Sequence, residues 1–214
     1  MMRKIKNMIW SFLDRIGIGG YVSLHMDSAL KKYGWLRSYR EKQSVDEDGN
    51  PVPWYTYPFT KFIRTRLRPD FTVFEYGSGN STFWYAGLIS SITAVEHERE
   101  WFEFMKPKLP RNAKIIYRER GAGYIRAVGE EDTRYQMIIV DGRDRVKSAL
   151  YAVEYLTDDG VLILDNSERD WYRMAKDYLR QKGFRSIDFS GMVPIVPIES
   201  TTSVFYRENN CLGI

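Results

Sequence analysis

Thiols are almost absent from this chain. Its one cysteine, Cys211, can form no disulfide within the chain, which predicts a reducing, cytoplasmic setting. Long apolar runs are missing too. The stretch Met8 to Leu13 follows Arg3, Lys4 and Lys6, but Asp14 and Arg15 cut it short and no small-residue cleavage site follows. It therefore reads neither as a signal peptide nor as a membrane span. A basic amphipathic helix remains, either packed on the domain or lying weakly on a membrane surface. Internal repeats and low-complexity segments are lacking. Charge is not segregated: 32 basic and 28 acidic residues interleave to a net +4, with a sequence pI near 9.0. A nucleic-acid binder would gather its cations into a stripe, so no nucleic-acid partner is expected.

What the chain does have is apolar and aromatic substance, at 43% hydrophobic and 15% aromatic residues. That suits one large α/β domain with a decoration at its start. The expected division is an N-terminal extension that lids the substrate, residues 1–58, and a main domain, residues 59–214. One local excess of cations, Lys31, Lys32, Arg37, Arg40 and Lys42, is interleaved with Tyr33, Trp35 and Tyr39. It suits an anionic ligand, and it suits a solvated helix end equally.

Residues 1–35 predict two short helices separated by Gly17-Ile18-Gly19-Gly20. A hairpin is expected next, with arms Ser38–Val45 and Val52–Tyr57 around the turn Glu47-Asp48-Gly49-Asn50-Pro51. Helical spacing returns from Phe59 to Leu67. From Phe71 onward, short apolar runs alternate with helical stretches. Strands are predicted at Phe71–Tyr76, Ser91–Glu96, Ala113–Tyr117, Gln136–Val140 and Val161–Leu164, and two more at Phe184–Phe189 and Thr202–Tyr206. The stripe Trp171, Met174, Ala175, Tyr178, Leu179 predicts a helix, opened by a Ser167/Asp170 capping box and stopped by Gly183. The alternation implies a doubly wound, seven-stranded, mostly parallel sheet with a helical and hairpin extension. Such a sheet binds its ligand at the carboxyl edge of the strands.

The first of these strands runs into Phe74-Glu75-Tyr76-Gly77-Ser78-Gly79-Asn80-Ser81-Thr82. Gly77 and Gly79 permit a tight turn and a close ligand approach, and the following helix offers free N–H groups to an anion. A dinucleotide fingerprint would place a third glycine where Thr82 stands. Glu75, two residues before the first glycine, would repel a pyrophosphate but would hold an ammonium. S-adenosyl-L-methionine carries both an ammonium and a carboxylate on its methionine arm. The second strand ends in Glu96, placed to accept hydrogen bonds from ribose hydroxyls, with His97 beside it for an adenine face.

On these residues the chain resembles the class I S-adenosylmethionine-dependent methyltransferases over residues 71–207, with Glu75, Gly77, Gly79 and Glu96 matching the first two family motifs. The wording Phe74 to Thr82, with Pro53-Trp54-Tyr55-Thr56-Tyr57-Pro58 and the tail Asn210 to Ile214, also resembles bacterial methyltransferases of glycan and capsule biosynthesis. The resemblance implies a Rossmann-like methyltransferase fold and cofactor contacts from Glu75, Gly77, Ser78, Gly79, Asn80, Ser81, Glu96, His97 and Asp141. Glu119 or Tyr124 would face the adenine, unless the Arg118–Tyr124 segment is only a surface loop.

The fourth strand runs into Asp141-Gly142-Arg143, and the fifth into Asp165-Asn166-Ser167. In the fold these ends are neighbours. Asp141, Asp165 and Asn166 offer hard oxygens suited to Mg²⁺, a spacing similar to that of the catechol O-methyltransferases. In those enzymes a lysine follows the first aspartate, and here Asp144 stands in its place. Asp141 alone also serves as a fourth-strand residue in metal-free members, and Asn166-Ser167 equally suits a helix cap.

The Asn-Pro-Pro-Tyr signature of base N-methylation is absent, and no loop cysteine is placed for attack on a pyrimidine. The expectation is O-methylation of a small or glycan-type hydroxyl, with Asp141 as base or metal anchor. Trp54, Tyr55, Tyr57, Arg143, Asn166 and Met192 are the expected acceptor contacts, and the three aromatics suit the core of the added segment equally. Aminopropyl transfer and nucleotide binding without turnover are the competing readings on the same fold.

Overall fold

Apolar residues occupy successive positions of the central strands, as they must where both faces of a sheet are covered. In the computed structural model, which describes residues 2–214, the strands are β1 (Thr72–Tyr76), β2 (Ser91–Glu96), β3 (Ala113–Tyr117), β4 (Tyr135–Val140), β5 (Leu156–Asp165), β6 (Arg185–Met192) and β7 (Glu199–Tyr206). They form one seven-stranded sheet in the order β3-β2-β1-β4-β5-β7-β6. The first five pair in parallel, and β7 inserts antiparallel between β5 and β6. The expected α/β architecture is the observed one.

Alternation sorts each strand onto two cores. Phe74 and Tyr76 of β1 join Ile138, Val140, Leu162 and Leu164 on one face. Val73 joins Met137, Ile139, Val161 and Ile163 on the other, together with Tyr55, Phe59 and Tyr85. Each such side chain, fully withdrawn from water, contributes about 1.5–3 kcal/mol to stability. Glu75 has the parity of Val73 and is only 1% exposed.

The helices are α1 (Met2–Arg15), α2 (Gly19–Met26), α3 (Ala29–Lys32), α4 (Trp35–Glu41), α5 (Tyr57–Arg64), α6 (Asn80–Ala86), α7 (Arg99–Met105), α8 (Ala122–Arg126), α9 (Arg145–Ala152) and α10 (Arg173–Gln181). Three short helices, not two, precede residue 35. The predicted hairpin is corrected. The first half of its first arm, Ser38–Glu41, is helical as the end of α4, a helix in which Arg37 pairs with Glu41 one turn on. Only the bridge between Val45 and Pro51 closes the Glu47–Pro51 turn.

The predicted capping box also fails. The Ser167 hydroxyl is buried and donates to the Thr201 carbonyl, and it lies 2.5 Å from Ser203 Oγ. A neighbouring strand thus claims the group that would have capped the helix. Residues 44–58 knit into the main sheet. Thr56 Oγ1 donates to the Phe189 carbonyl, and the Thr56 amide donates to Thr202. Among the described residues, no helix is long and apolar enough to cross a membrane.

Candidate active site

The strand order reverses between β1 and β4, and the register pairs Tyr76 with Val140 at that point. The chain therefore leaves both strands side by side, as Gly77 and as Asp141-Gly142. Gly77 has a φ of +95°, the left-handed region that glycine enters without strain. A Cβ on Gly142 would meet the Tyr124 hydroxyl at 1.9 Å and the Gly77 nitrogen at 2.9 Å. The two loops approach this closely only because both residues lack side chains. Between them opens a cleft of about 500 Å³ bordered by Trp54, with Glu75, Gly77, Ser78, Ser81, Glu96 and His97 lining the side of β1 and β2. Asp141, Arg143, Arg145, Asp165, Asn166 and Arg169 line the other.

Hydroxyl groups clamp the glycine loop. Glu75 accepts from Ser81 Oγ at 2.5 Å and from Thr82 Oγ1 at 2.6 Å, and Tyr55 Oη lies at 3.5 Å. Thr82 Oγ1 also accepts from the Gly79 amide at 3.1 Å. The residue standing where a third glycine would be thus ties both ends of the turn together. Gly79 has a φ of 172°, which is extended backbone. Asn80 reaches away from the cleft, donating to the Ser44 carbonyl at 2.7 Å. Burial raises the Glu75 carboxyl to about 7, despite the hydroxyls that favour its charged form.

At the end of β2, Glu96 borders the cleft and is fixed by hydrogen bonds. Its Oε1 accepts the amides of His97 and Glu98 at 2.8 and 2.9 Å, and its Oε2 accepts from Ser78 Oγ at 2.8 Å. His97 Nδ1 is 2.9 Å from Glu96 Oε1, yet it is buried with no well-aligned hydrogen bond. We read the short distance as contact only, because a hydrogen bond also needs the angle. Trp101 closes this end, its Nε1 donating to the Ser78 carbonyl at 2.9 Å.

At the other end one cation organises two acids. The Arg145 side chain is 10% exposed and donates to Asp141 Oδ1 at 2.9 Å and to the Asp141 carbonyl at 2.7 Å. It also donates to the Gly142 and Asp165 carbonyls and stands 3.9 Å from Asp165 Oδ2. Burial raises both carboxyls while Arg145 opposes the rise. Asp141, with 26% of its side chain open to the cleft, is raised to about 6. Asp165, almost fully enclosed, is pushed well above the usual carboxylate range by burial and by the neighbouring Asp141 charge.

In the Asp141, Asp165 and Asn166 set, the charge of the acids is already met by a side chain. The Arg145 guanidinium supplies a cation to this pair, 2.9 Å from Asp141 Oδ1 and 3.9 Å from Asp165 Oδ2. Among the described residues no three His, Cys, Asp or Glu side chains gather as metal ligands would. The Mg²⁺ expectation finds no support in this arrangement.

Several expected contacts lie elsewhere. Tyr55 is buried beneath Glu75, and Tyr57 is buried with its ring stacked on Tyr33 at 5.0 Å. Tyr124 is buried below the cleft with its hydroxyl 3.3 Å from the Arg143 amide, and Glu119 is exposed outside it. Val193, Val196 and Ile198 line the cleft where Met192 was expected. The Lys31–Lys42 cations are also absent from its lining, and Lys32, Arg37 and Arg40 are engaged with nearby acids. Arg145, Arg169 and Trp101 had not been singled out. For Arg145 the available signal was a basic residue four places after Asp141.

A second cavity of about 360 Å³ adjoins the acidic end and shares Gly142, Arg143, Arg145 and Arg169 with the cleft. Arg120 and Lys147 complete its cations, and its one acid, Asp144, is paired with Arg120 at 3.2 Å.

No protein-family profile matches the chain, and no curated protein matches it. Solved structures do. A precorrin-6y C5,15-methyltransferase from Geobacter metallireducens superposes with a TM-score of 0.58 at 14% identity, over 71% of this chain and 87% of that one. A methyltransferase-like protein from Silicibacter pomeroyi gives 0.53 at 24% identity, over 73% and 89%. A protein assigned as a caffeoyl-CoA O-methyltransferase, from Staphylococcus aureus, gives 0.55 at 17% identity, over 94% and 99%. At these identities the likeness is one of fold: the chain has the Rossmann-like fold of the class I methyltransferases.

Proposed function

We propose that the chain is an S-adenosyl-L-methionine-dependent methyltransferase that O-methylates a small anionic acceptor, of the glycan type that the sequence resemblance suggests. The observation that carries this reading is the order of groups along one cleft. A buried carboxylate and a glycine turn stand at β1, a pinned carboxylate at β2, and an acid–arginine cluster after β4. Among the described residues Glu75 is partnered by hydroxyls and by no cation, so a ligand ammonium would supply the charge it lacks. Glu96 would take the ribose hydroxyls, and His97 would lie beside the adenine.

The cofactor supplies an electrophilic methyl group on a sulfonium. The protein then needs to align an acceptor oxygen and receive its proton. Asp141 borders the cleft, and Arg145 favours its charged form, so Asp141 would take that proton. Arg143, Lys147 and Arg169 would hold the acceptor's negative group in the adjoining cavity. Trp54 and Val193 would cover it from the cleft side. The test is transfer of a labelled methyl group from S-adenosyl-L-methionine to sugar phosphates, nucleotide sugars and uncharged glycosides. Transfer to anionic acceptors, lost in Asp141→Asn, is expected. Failure to methylate any hydroxyl by a protein that binds the cofactor would refute the reading.

A further inference from the structure

Helix α1 buries none of its residues, although it is rich in large apolar side chains. Met8, Ile9 and Phe12 are 68%, 52% and 61% exposed, and Ile5 and Ile16 about as open. At 100° per residue, Ile5, Ile9, Phe12 and Ile16 fall on one stripe, with Met8 at its margin. Lys6 flanks one side of that stripe, and Lys4 and Arg15 flank the other. The contacts of α1 are chiefly with α2, where Tyr21, Leu24 and Met26 are exposed in turn. An apolar patch rimmed by charge on an otherwise ordinary surface marks an interaction site.

We propose that α1 and α2 form a membrane-docking surface that lies in the interface of an anionic lipid bilayer. Charge complementarity selects this occupant. Arg3, Lys4, Lys6 and Arg15 stand on α1 against the single acid Asp14, so the helix carries a local excess of positive charge. A second copy of the chain would bring the same cations against themselves, whereas anionic headgroups neutralise them. The apolar stripe enters the acyl boundary while the basic flanks remain at headgroup level. The helix is far too short and too charged to span, which leaves the in-plane arrangement. Docking of this kind would hold the enzyme near acceptors at the bilayer surface.

The test is co-sedimentation of the full chain with vesicles of equimolar phosphatidylglycerol and phosphatidylcholine, and with phosphatidylcholine alone. Binding to the anionic vesicles is expected, weakened by added salt and reduced about tenfold or more in Ile9→Glu/Phe12→Glu. Lys4→Glu/Lys6→Glu should reduce it as well. These residues are exposed, so circular dichroism should show both variants folded. Absence of binding to anionic vesicles would overturn the proposal. So would a wild-type dimer in solution that Ile9→Glu/Phe12→Glu dissociates without any effect on vesicles. The readout does not involve methyl transfer, so the two readings fail separately.

Discussion

Replacing Arg145 by Met should strand two carboxylates. The guanidinium is nearly buried, pairs with Asp141 at 2.9 Å and faces Asp165 at 3.9 Å, and it also satisfies carbonyls of Asp141, Gly142 and Asp165. Removing one partner of a buried ion pair costs about 3–5 kcal/mol, chiefly because the other charge stays desolvated. For a chain of this length each kcal/mol corresponds to about 2–4 °C in Tm, so a fall of about 6–20 °C is expected at pH 8.

The sign of the pH dependence follows from the two acids. Both carboxyls sit above their unfolded value in the wild type, so the native state binds more protons and loses stability as pH rises, through about 4 to 6 for Asp141 and further up for Asp165. Without Arg145 both rise further, and the loss steepens and extends to higher pH. Thermal denaturation at pH 5 and pH 8 should therefore show a smaller penalty at pH 5, where the acids can be neutral. An equal penalty at both values, or none at pH 8, would refute the assignment of Arg145 as the counter-ion. Added Mg²⁺ should leave the wild-type Tm unchanged, because the cation's place is taken.

Three further outcomes follow from the same geometry. Since Glu75 is raised to about 7 without ligand, binding of S-adenosylhomocysteine should release a fraction of a proton at pH 7 and tighten from pH 6 to 7.5; calorimetry in two buffers measures this, and Glu75→Gln should abolish it. Arg143→Gln/Lys147→Gln should raise KM for an anionic acceptor about tenfold or more while leaving cofactor affinity within about twofold, read by steady-state kinetics. Deleting residues 1–52 should impair folding, because Ser44 and Val45 are buried and the Ser44 carbonyl receives Asn80 from the glycine loop; circular dichroism decides.

Much of the fold was legible because it rests on local pattern. Apolar runs of strand length, a glycine turn after the first, and acids closing four of the strand–loop junctions were enough to place Glu75, Glu96, Asp141 and Asp165 at one edge. The errors lie where tertiary contacts decide. Ser167 has the composition of a helix cap, but β7 binds its hydroxyl. Trp171 and Met174 keep helical spacing, yet they are 68% and 66% exposed, since periodicity fixes a face without saying what covers it. Tyr55 and Tyr57 suited a pocket and a core alike by composition, and only the fold puts Tyr55 in the core beneath Glu75 and Tyr57 against Tyr33. The Asp-to-Asp-Asn pattern suggested a metal because it records oxygen ligands and says nothing of the arginine that pairs with Asp141.

The central claim is that this cleft holds S-adenosyl-L-methionine with its ribose on Glu96. The most direct measurement is calorimetric titration of the wild type and Glu96→Ala with S-adenosylhomocysteine, and of the wild type with NAD. The account predicts saturable binding of S-adenosylhomocysteine, weakened at least tenfold by the loss of charge-assisted hydrogen bonds worth about 1.5–3 kcal/mol each, and no comparable binding of NAD. Unchanged affinity in Glu96→Ala, or tight binding of NAD, would contradict it.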